Sequence, residues 1–239
     1  MNDSTTTHGV WSDGLKILFG SYCIYIAEGV IQIVGNMLII LAIVVNRRLH
    51  CKEYCLPGML AVGDLLMGLG QFTAGVRRVI LILLGRHLVL VTKWYCRLTI
   101  HSLVWSLAVY ITNPMLILIS VDRCVACYSP IAYMKITSRK LLLCGAIVYG
   151  CSVVTVTGLV YSTYVLPREE KYGLLCPQRN AYDPYIFTYF DVNYQTITGI
   201  LSVLIYLLAL VFWYCKPFDS SSELIKQNRD RQIKVTKML

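Results

Sequence analysis

The chain has 239 residues, of which 56% are hydrophobic and only 15% are charged, and its formal net charge is +9. Soluble domains carry roughly 25% charged residues, so this composition excludes an ordinary soluble protein and favours one that lies in a membrane. The positive charge requires no nucleic-acid partner, because basic loops that face anionic lipid account for it.

Five apolar segments are each long enough to cross a bilayer as a helix, which takes about 20 mostly apolar residues. Within them only Glu28 and Asp64 carry a formal charge. Their unbroken apolar runs argue against a barrel, whose short strands alternate between apolar and polar residues. We therefore predict an all-α transmembrane helix bundle with spans at roughly 20–46, 56–76, 98–121, 141–166 and 192–215.

Lysine and arginine are more frequent in the loops on one side of these segments, and this side is expected to face the cytoplasm. The bias predicts an extracellular N-terminus over 1–19, a five-helix portion over 20–216 and a cytoplasmic segment over 217–239. The last of these reads as a loop followed by the start of a sixth helix. Asn2 opens a glycosylation sequon, which agrees with an N-terminus outside and a C-terminus inside.

Two of the ten cysteines, Cys96 and Cys176, fall in the loops on the outer side. Because that compartment is oxidising, we predict a disulfide between them. Cys51 and Cys55 have no further histidine or cysteine pair nearby that would complete a zinc site, so no metal is predicted there. No nucleophile–base pair and no glycine-rich phosphate loop appears, so an enzyme is not predicted.

Asp64 is the most informative polar residue inside a predicted span. A charged side chain at mid-membrane costs about 2.5–3.5 kcal/mol on the insertion scale, so it needs partners or a function. Counting about 1.5 Å per residue from the inner ends of their spans places Asn36 and Thr112 at a similar depth. We predict one polar cluster of these three residues. The sequence leaves open whether the cluster holds water or a small cation, or only serves packing.

Asp122 and Arg123 stand together at the inner end of the third span. Such a pair can lock that end against neighbouring helices, whereas the alternative is two ordinary charges that reach the headgroups. The pair opens the pattern D-R-x-x-A-x-x-x-P-x-x-Y, which includes Pro130 and ends at Tyr133. Together with L-A-x-x-D-L around Asp64, these motifs resemble the rhodopsin-like G-protein-coupled receptors, and the chain is similar in texture to nematode serpentine chemoreceptors of the Srsx class.

The resemblance implies a chemosensory receptor that binds a small molecule or peptide outside and acts on a heterotrimeric G protein inside. Arg123 would contact the G protein in the active state, and Asp122 would restrain Arg123 at rest. Pro130 and Tyr133 would shape the inner loop on which the G protein docks. The family also carries the outer disulfide and a sodium-linked switch cluster, which here would be Asn36, Asp64 and Thr112.

The ligand site is less well defined by the sequence. Trp105 stands where amine receptors of this family carry an aspartate, so the resemblance gives no counter-ion for a biogenic amine. Near the fifth span, Tyr189, Asp191 and Gln195 are expected to line a pocket with Trp105. The alternative is that this aromatic-rich stretch anchors the helix at the membrane interface.

The family's sixth- and seventh-helix motifs do not follow the fifth span. The expectation from sequence is therefore a partial receptor that has five helices and the start of a sixth. A second hypothesis is a truncated five-span protein that pairs with full-length receptors and does not signal itself. A transporter or channel is a third hypothesis, although the inverted repeats and paired broken helices of many transporters are not visible.

Overall fold

The computed structural model describes residues 13–165, 171–177 and 192–215. Five helices in these ranges are long and apolar enough to cross a membrane. They confirm the predicted transmembrane helix bundle with its five spans. Their bounds are α1 (Asp13–Val45), α2 (Lys52–Leu83), α4 (Ile100–Tyr128), α6 (Ser138–Val165) and α7 (Asn193–Cys215).

α1, α2 and α4 extend beyond the apolar segments from which they were predicted. α1 begins at Asp13 instead of residue 20, and α2 runs from Lys52 to Leu83 instead of 56–76. α4 continues past residue 121 to Tyr128. The reason is that backbone hydrogen bonding does not stop where the hydrocarbon stops, so a helix continues into the polar headgroup layer until its sequence ends it.

Short elements connect the long helices. They are a 3-10 turn (Arg47–Leu49), strand β1 (Leu90–Thr92), helix α3 (Lys93–Arg97), helix α5 (Pro130–Met134) and strand β2 (Lys171–Gly173). β1 and β2 pair antiparallel, with Leu90 opposite Gly173 and Thr92 opposite Lys171. Thr92 also caps α3 by accepting a hydrogen bond from the Tyr95 amide. Residues 217–239, with the predicted start of a sixth helix, lie outside the described residues.

α4 occupies the centre of the bundle and contacts α2, α6 and α7, whereas α1 packs on α2. The buried core between α2, α4 and α6 is formed by Leu56, Ile111, Met115 and Leu141. Many other apolar side chains on the long helices are exposed, as expected for surfaces that face lipid.

Small residues set the closest approach between the helices, as is common inside membranes. A Cβ added at Gly29 of α1 would lie 2.7 Å from the backbone nitrogen of Phe72 in α2. One added at Gly63 of α2 would lie 3.0 Å from Ile111 Cγ2 in α4. The absence of a side chain at Gly63 therefore determines which residues of α2 and α4 face each other.

Candidate functional site

A disulfide joins α3 to the segment that follows β2. Cys96 and Cys176 are bonded with their Cα atoms 5.2 Å apart, and both residues are buried. This confirms the predicted pairing. We call this end of the bundle the disulfide end, and the opposite end, where Arg123 lies, the arginine end.

A cavity of ≈ 180 Å³ lies at the disulfide end, between α1, α2, α4 and the segment after β2. Trp105, which the sequence predicted to face a ligand, is among its lining residues, as are Arg78 and His101. Gln195 lies on α7, an element that does not contribute to this lining. Of the other predicted residues, Tyr189 and Asp191 of the ligand site and Asn2 of the sequon lie outside the described residues.

Arg78 is a buried cation that holds the loop segment over the cavity. Its Nε donates to the carbonyl of Leu175 and its Nη2 to the carbonyl of Cys176, both at 3.0 Å. The guanidinium also lies 5.2 Å from the centre of the Tyr22 ring. The sequence did not single out Arg78, because the apolar segment of the second span was ended at residue 76. The apolar run continues from Val79 to Leu84 after Arg78, and an arginine between two apolar stretches is the signal that would have found it.

In the middle of the bundle, two residues of the predicted polar cluster meet. The Thr112 hydroxyl of α4 donates to Asp64 Oδ1 of α2 at 3.2 Å. The contact exists because α2 and α4 approach closely at Gly63, where an added Cβ would lie 3.1 Å from Thr112 Oγ1. The Asn36 side-chain amide donates instead to the carbonyl of Gln32 in its own helix, at 2.9 Å. Within the described ranges, no group of three or more His, Cys, Asp or Glu residues is placed to hold a metal ion.

At the arginine end, Arg123 is shared between two partners. Its Nε lies 3.9 Å from Asp122 Oδ2, and its Nη2 donates to the backbone carbonyl of Glu53 at 2.9 Å. Asp122 in turn accepts a hydrogen bond from the Tyr133 hydroxyl at 3.4 Å. These contacts connect α4 to the first turn of α2 and to α5.

The structure adds Lys52 to this group, a residue that the sequence did not single out. Its ammonium donates to the Tyr133 carbonyl at 2.7 Å and lies 4.0 Å from the centre of the Tyr133 ring. Pro130 begins α5, and a proline is tolerated in the first turn of a helix. Burial, and then the Asp122 carboxylate, raise the pKa of the Tyr133 phenol above its ordinary value of 10.0. The phenol is therefore protonated at neutral pH and able to donate to Asp122.

Most of the chain matches a known protein family. Residues 35–239 match the family described as "7 transmembrane receptor (rhodopsin family)". The chain belongs to this receptor family. It is an integral, multi-pass membrane protein, and the predicted resemblance to rhodopsin-like receptors is confirmed.

The receptor chain is also similar to melanocortin receptor 5 from several mammals. It is 32% identical to the Ovis aries protein over 156 residues, which cover 64% of this chain and 46% of the relative. Identity to the Homo sapiens protein is 30% over 156 residues, with the same coverage. The chain thus spans about half the length of the curated relatives it matches. The Srsx-like subfamily stays a prediction.

Proposed function

We propose that this chain is part of a receptor that passes an extracellular signal to a heterotrimeric G protein, with the disulfide end outside. A disulfide persists in an oxidising compartment, which supports this orientation. The full sequence agrees with it, because 13 of its 22 lysines and arginines fall on the predicted inner side and positive charge is retained on the cytoplasmic side. Those of the 13 that lie in the described ranges are Arg47, Arg48, Lys52, Arg123, Lys135, Arg139 and Lys140.

The observation that carries the proposal is the way Arg123 is held. Its guanidinium is partly buried, and it contacts Asp122 at a long 3.9 Å while donating to the Glu53 carbonyl. At this distance the Coulomb attraction is about 4 kcal/mol for an effective dielectric constant of about 20, so Asp122 restrains Arg123 until a comparable partner replaces it. In the proposed resting state Asp122 and Glu53 retain Arg123. In the active state Arg123 leaves them and contacts the G protein.

Pro130 and Tyr133 are proposed to shape the docking loop. Tyr133 is buried between Asp122 and Lys52, so α5 is attached to the same group that holds Arg123. A change at Arg123 would therefore reach the loop surface through Asp122 and Tyr133. The position of the loop is therefore coupled to the position of Arg123 through these contacts.

The proposed ligand is a small molecule or peptide that enters at the disulfide end. Support comes from the cavity beside Trp105 and from relatives that are named as receptors for melanocortins. The sequence also predicted a chemosensory role, in which the ligand would come from the surroundings of the organism. Like the hypothesis of a five-span protein that pairs with full-length receptors, it stays a prediction.

The test uses the receptor expressed from its complete reading frame, together with a panel of G proteins, and measures nucleotide exchange without added ligand. D122N removes the charge that restrains Arg123, so basal exchange is expected to rise roughly tenfold, the equivalent of ~1.4 kcal/mol. R123A in the D122N background should remove the gain. R139A, on an exposed basic residue of α6, is the matched control. Equal basal exchange in wild type and D122N, at equal surface expression, would refute the proposal.

A further inference from the structure

We propose that the cavity at the disulfide end is a binding site for a ligand that carries one carboxylate on a small apolar or aromatic body. The proposal rests on the receptor function above and names the chemical class of its ligand. The carboxylate is either that of a free organic acid or the C-terminal carboxylate of a peptide. Both sources present the same group to the site.

The first observation is a buried cation that has no carboxylate partner among the described residues. Arg78 is 8% exposed, and its contacts within the described residues are two backbone carbonyls and the Tyr22 ring. Carbonyl dipoles orient the guanidinium but leave its net charge uncompensated. Because burying an uncompensated charge is costly, the site favours the arrival of an anion.

The second observation is the set of hydrogen-bonding groups that remain available there. A guanidinium carries more N–H donors than the two that Arg78 uses, and Nη1 has no hydrogen-bond partner among the described residues. Ser102 Oγ is buried and has no partner in that part of the chain either, and Ser102 lines the cavity with Arg78. Its hydroxyl can donate a second hydrogen bond to a bound carboxylate. Gln71 Oε1 is also buried without a partner there, but it is an acceptor and suits an N–H or O–H group on the body of the ligand.

The third observation concerns the size and the walls of the site. The volume of ≈ 180 Å³ limits the enclosed part of the ligand to a small group. Tyr22, Tyr25 and Trp105 form its aromatic walls, which suit an apolar or aromatic body. Among the described residues, no aspartate or glutamate lines the cavity. Of these residues, Arg78 presents a positive charge that a single carboxylate on the ligand complements.

Arg78 also connects the proposed ligand site to the segment that follows β2. The guanidinium that would bind the carboxylate already holds the carbonyls of Leu175 and Cys176. The segment that follows β2 and the cavity therefore share one side chain. Ligand binding at Arg78 acts directly on the disulfide-linked segment, which bounds the cavity together with α4.

The experiment measures binding to the full chain in lipid nanodiscs, without a G protein, by calorimetry or ligand-detected NMR. The first pair of probes is phenylacetate and phenylacetamide, which differ in charge but hardly in shape. The second pair is the tripeptide Gly-Gly-Phe as its free acid and as its C-terminal amide. At least one acid is expected to bind, about tenfold or more tightly than its amide, since hydrogen bonds to charged groups are the stronger ones. The pair that binds identifies the source of the carboxylate.

Variants then assign the binding to this cavity. R78Q is expected to weaken binding of the acid at least tenfold, whereas R78K retains the charge and part of the affinity. R77Q is the matched control, because Arg77 is the neighbouring cation but its guanidinium lies 5.9 Å from the Tyr95 ring and is not part of the lining. S102A keeps the cation and is expected to weaken binding a fewfold. It serves as the second variant if R78Q is poorly folded.

The proposal is overturned if neither acid binds, if each amide binds as well as its acid, or if R78Q and R77Q have the same affinity. The failure of this proposal is separable from the failure of the receptor function. Loss of carboxylate selectivity with an intact D122N effect on nucleotide exchange rejects only the ligand class. Carboxylate binding without any effect of D122N rejects the proposed coupling to a G protein instead.

Discussion

Lys52 contacts Tyr133 twice, once through a hydrogen bond from its ammonium to the Tyr133 carbonyl at 2.7 Å and once through the ring, whose centre lies 4.0 Å away. The two residues are far apart in sequence and belong to α2 and α5. Their contact holds the short helix α5 against the arginine end. It thereby keeps the Tyr133 hydroxyl close to Asp122.

We expect K52Q to loosen α5 without unfolding the bundle. A hydrogen bond from a charged group contributes about 1.5–3 kcal/mol and a cation–π contact at least about 0.5–1 kcal/mol, so amide exchange across Pro130–Met134 should accelerate at least tenfold. Hydrogen exchange with mass spectrometry measures this. K135Q changes an exposed lysine next to the same helix and should leave its exchange rate unchanged. Equal rates in the two variants would contradict the role given to Lys52.

The raised pKa of Tyr133 predicts a pH dependence of stability. A group whose pKa is higher in the folded protein contributes stability that is present below its unfolded pKa and is lost as the pH rises. The loss therefore begins near the ordinary value of 10.0 and continues upward. At neutral pH this contribution is complete.

Y133F removes this titration, so its stability should decline less steeply above pH 10.0 than that of the wild type. Thermal unfolding in detergent over a series of alkaline pH values measures the difference. Y128F, on the exposed Tyr128 near the end of α4, is the control. If the stability of wild type and Y133F declined in parallel with pH, the pKa of the Tyr133 phenol would not be raised in the folded protein.

Gly63 determines the distance between α2 and α4 at the Asp64–Thr112 hydrogen bond. G63A places a Cβ at 3.0 Å from Ile111 Cγ2 and 3.1 Å from Thr112 Oγ1, so a neighbour must move. Overpacking of this kind destabilises by about 1–3 kcal/mol. At Gly35 of α1 an added Cβ meets nothing within 4 Å, and G35A is expected to be neutral or stabilising by up to about 1 kcal/mol. The melting temperatures of both variants test the difference, and a G63A protein as stable as G35A would contradict it.

We propose that Asp64 and Thr112 form part of a sodium-linked switch. If sodium binds there, replacing potassium chloride with sodium chloride should raise the unfolding temperature. The stabilisation is about 1.4 kcal/mol when sodium is roughly ten times its dissociation constant. D64N should lose this response, whereas E28Q, which changes the exposed carboxylate of α1, should keep it. The same unfolding temperature of the wild type in both salts would argue for a packing role alone.

The disulfide should contribute stability at the end where the cavity lies. The loop-entropy formula gives about 4–5 kcal/mol for a loop of this length. Removing the bond as C96S/C176S is expected to cost less than this, because the membrane already restrains the unfolded chain. C144S, at an exposed free cysteine of α6, is the control. Thermal unfolding with and without a reducing agent gives the measurement. A C96S/C176S protein that unfolds at the same temperature as the wild type would show that the bond adds no stability.

The sequence by itself determined the spans, the disulfide and the family. Hydropathy is a local property, so each apolar segment could be recognised without knowledge of its neighbours. The depth of Asp64 and Thr112 was also predictable, because helical rise converts a residue count into a distance along the membrane normal. Cys96 and Cys176 could be paired because the topology placed both in the same compartment.

The tertiary structure decided the contacts that depend on how each helix is rotated and how closely it approaches the next. Depth alone grouped Asn36 with Asp64, but its amide bonds to its own helix. Likewise, only packing brings Lys52 and Glu53 to the Asp122–Arg123 pair and turns Arg78 into a cavity wall. The sequence pattern shows that a helix is apolar. Which residues of two helices contact each other depends on where the helices approach closely, as α2 and α4 do at Gly63. That selection is a collective property of all the helices, so no single segment of the sequence contains it.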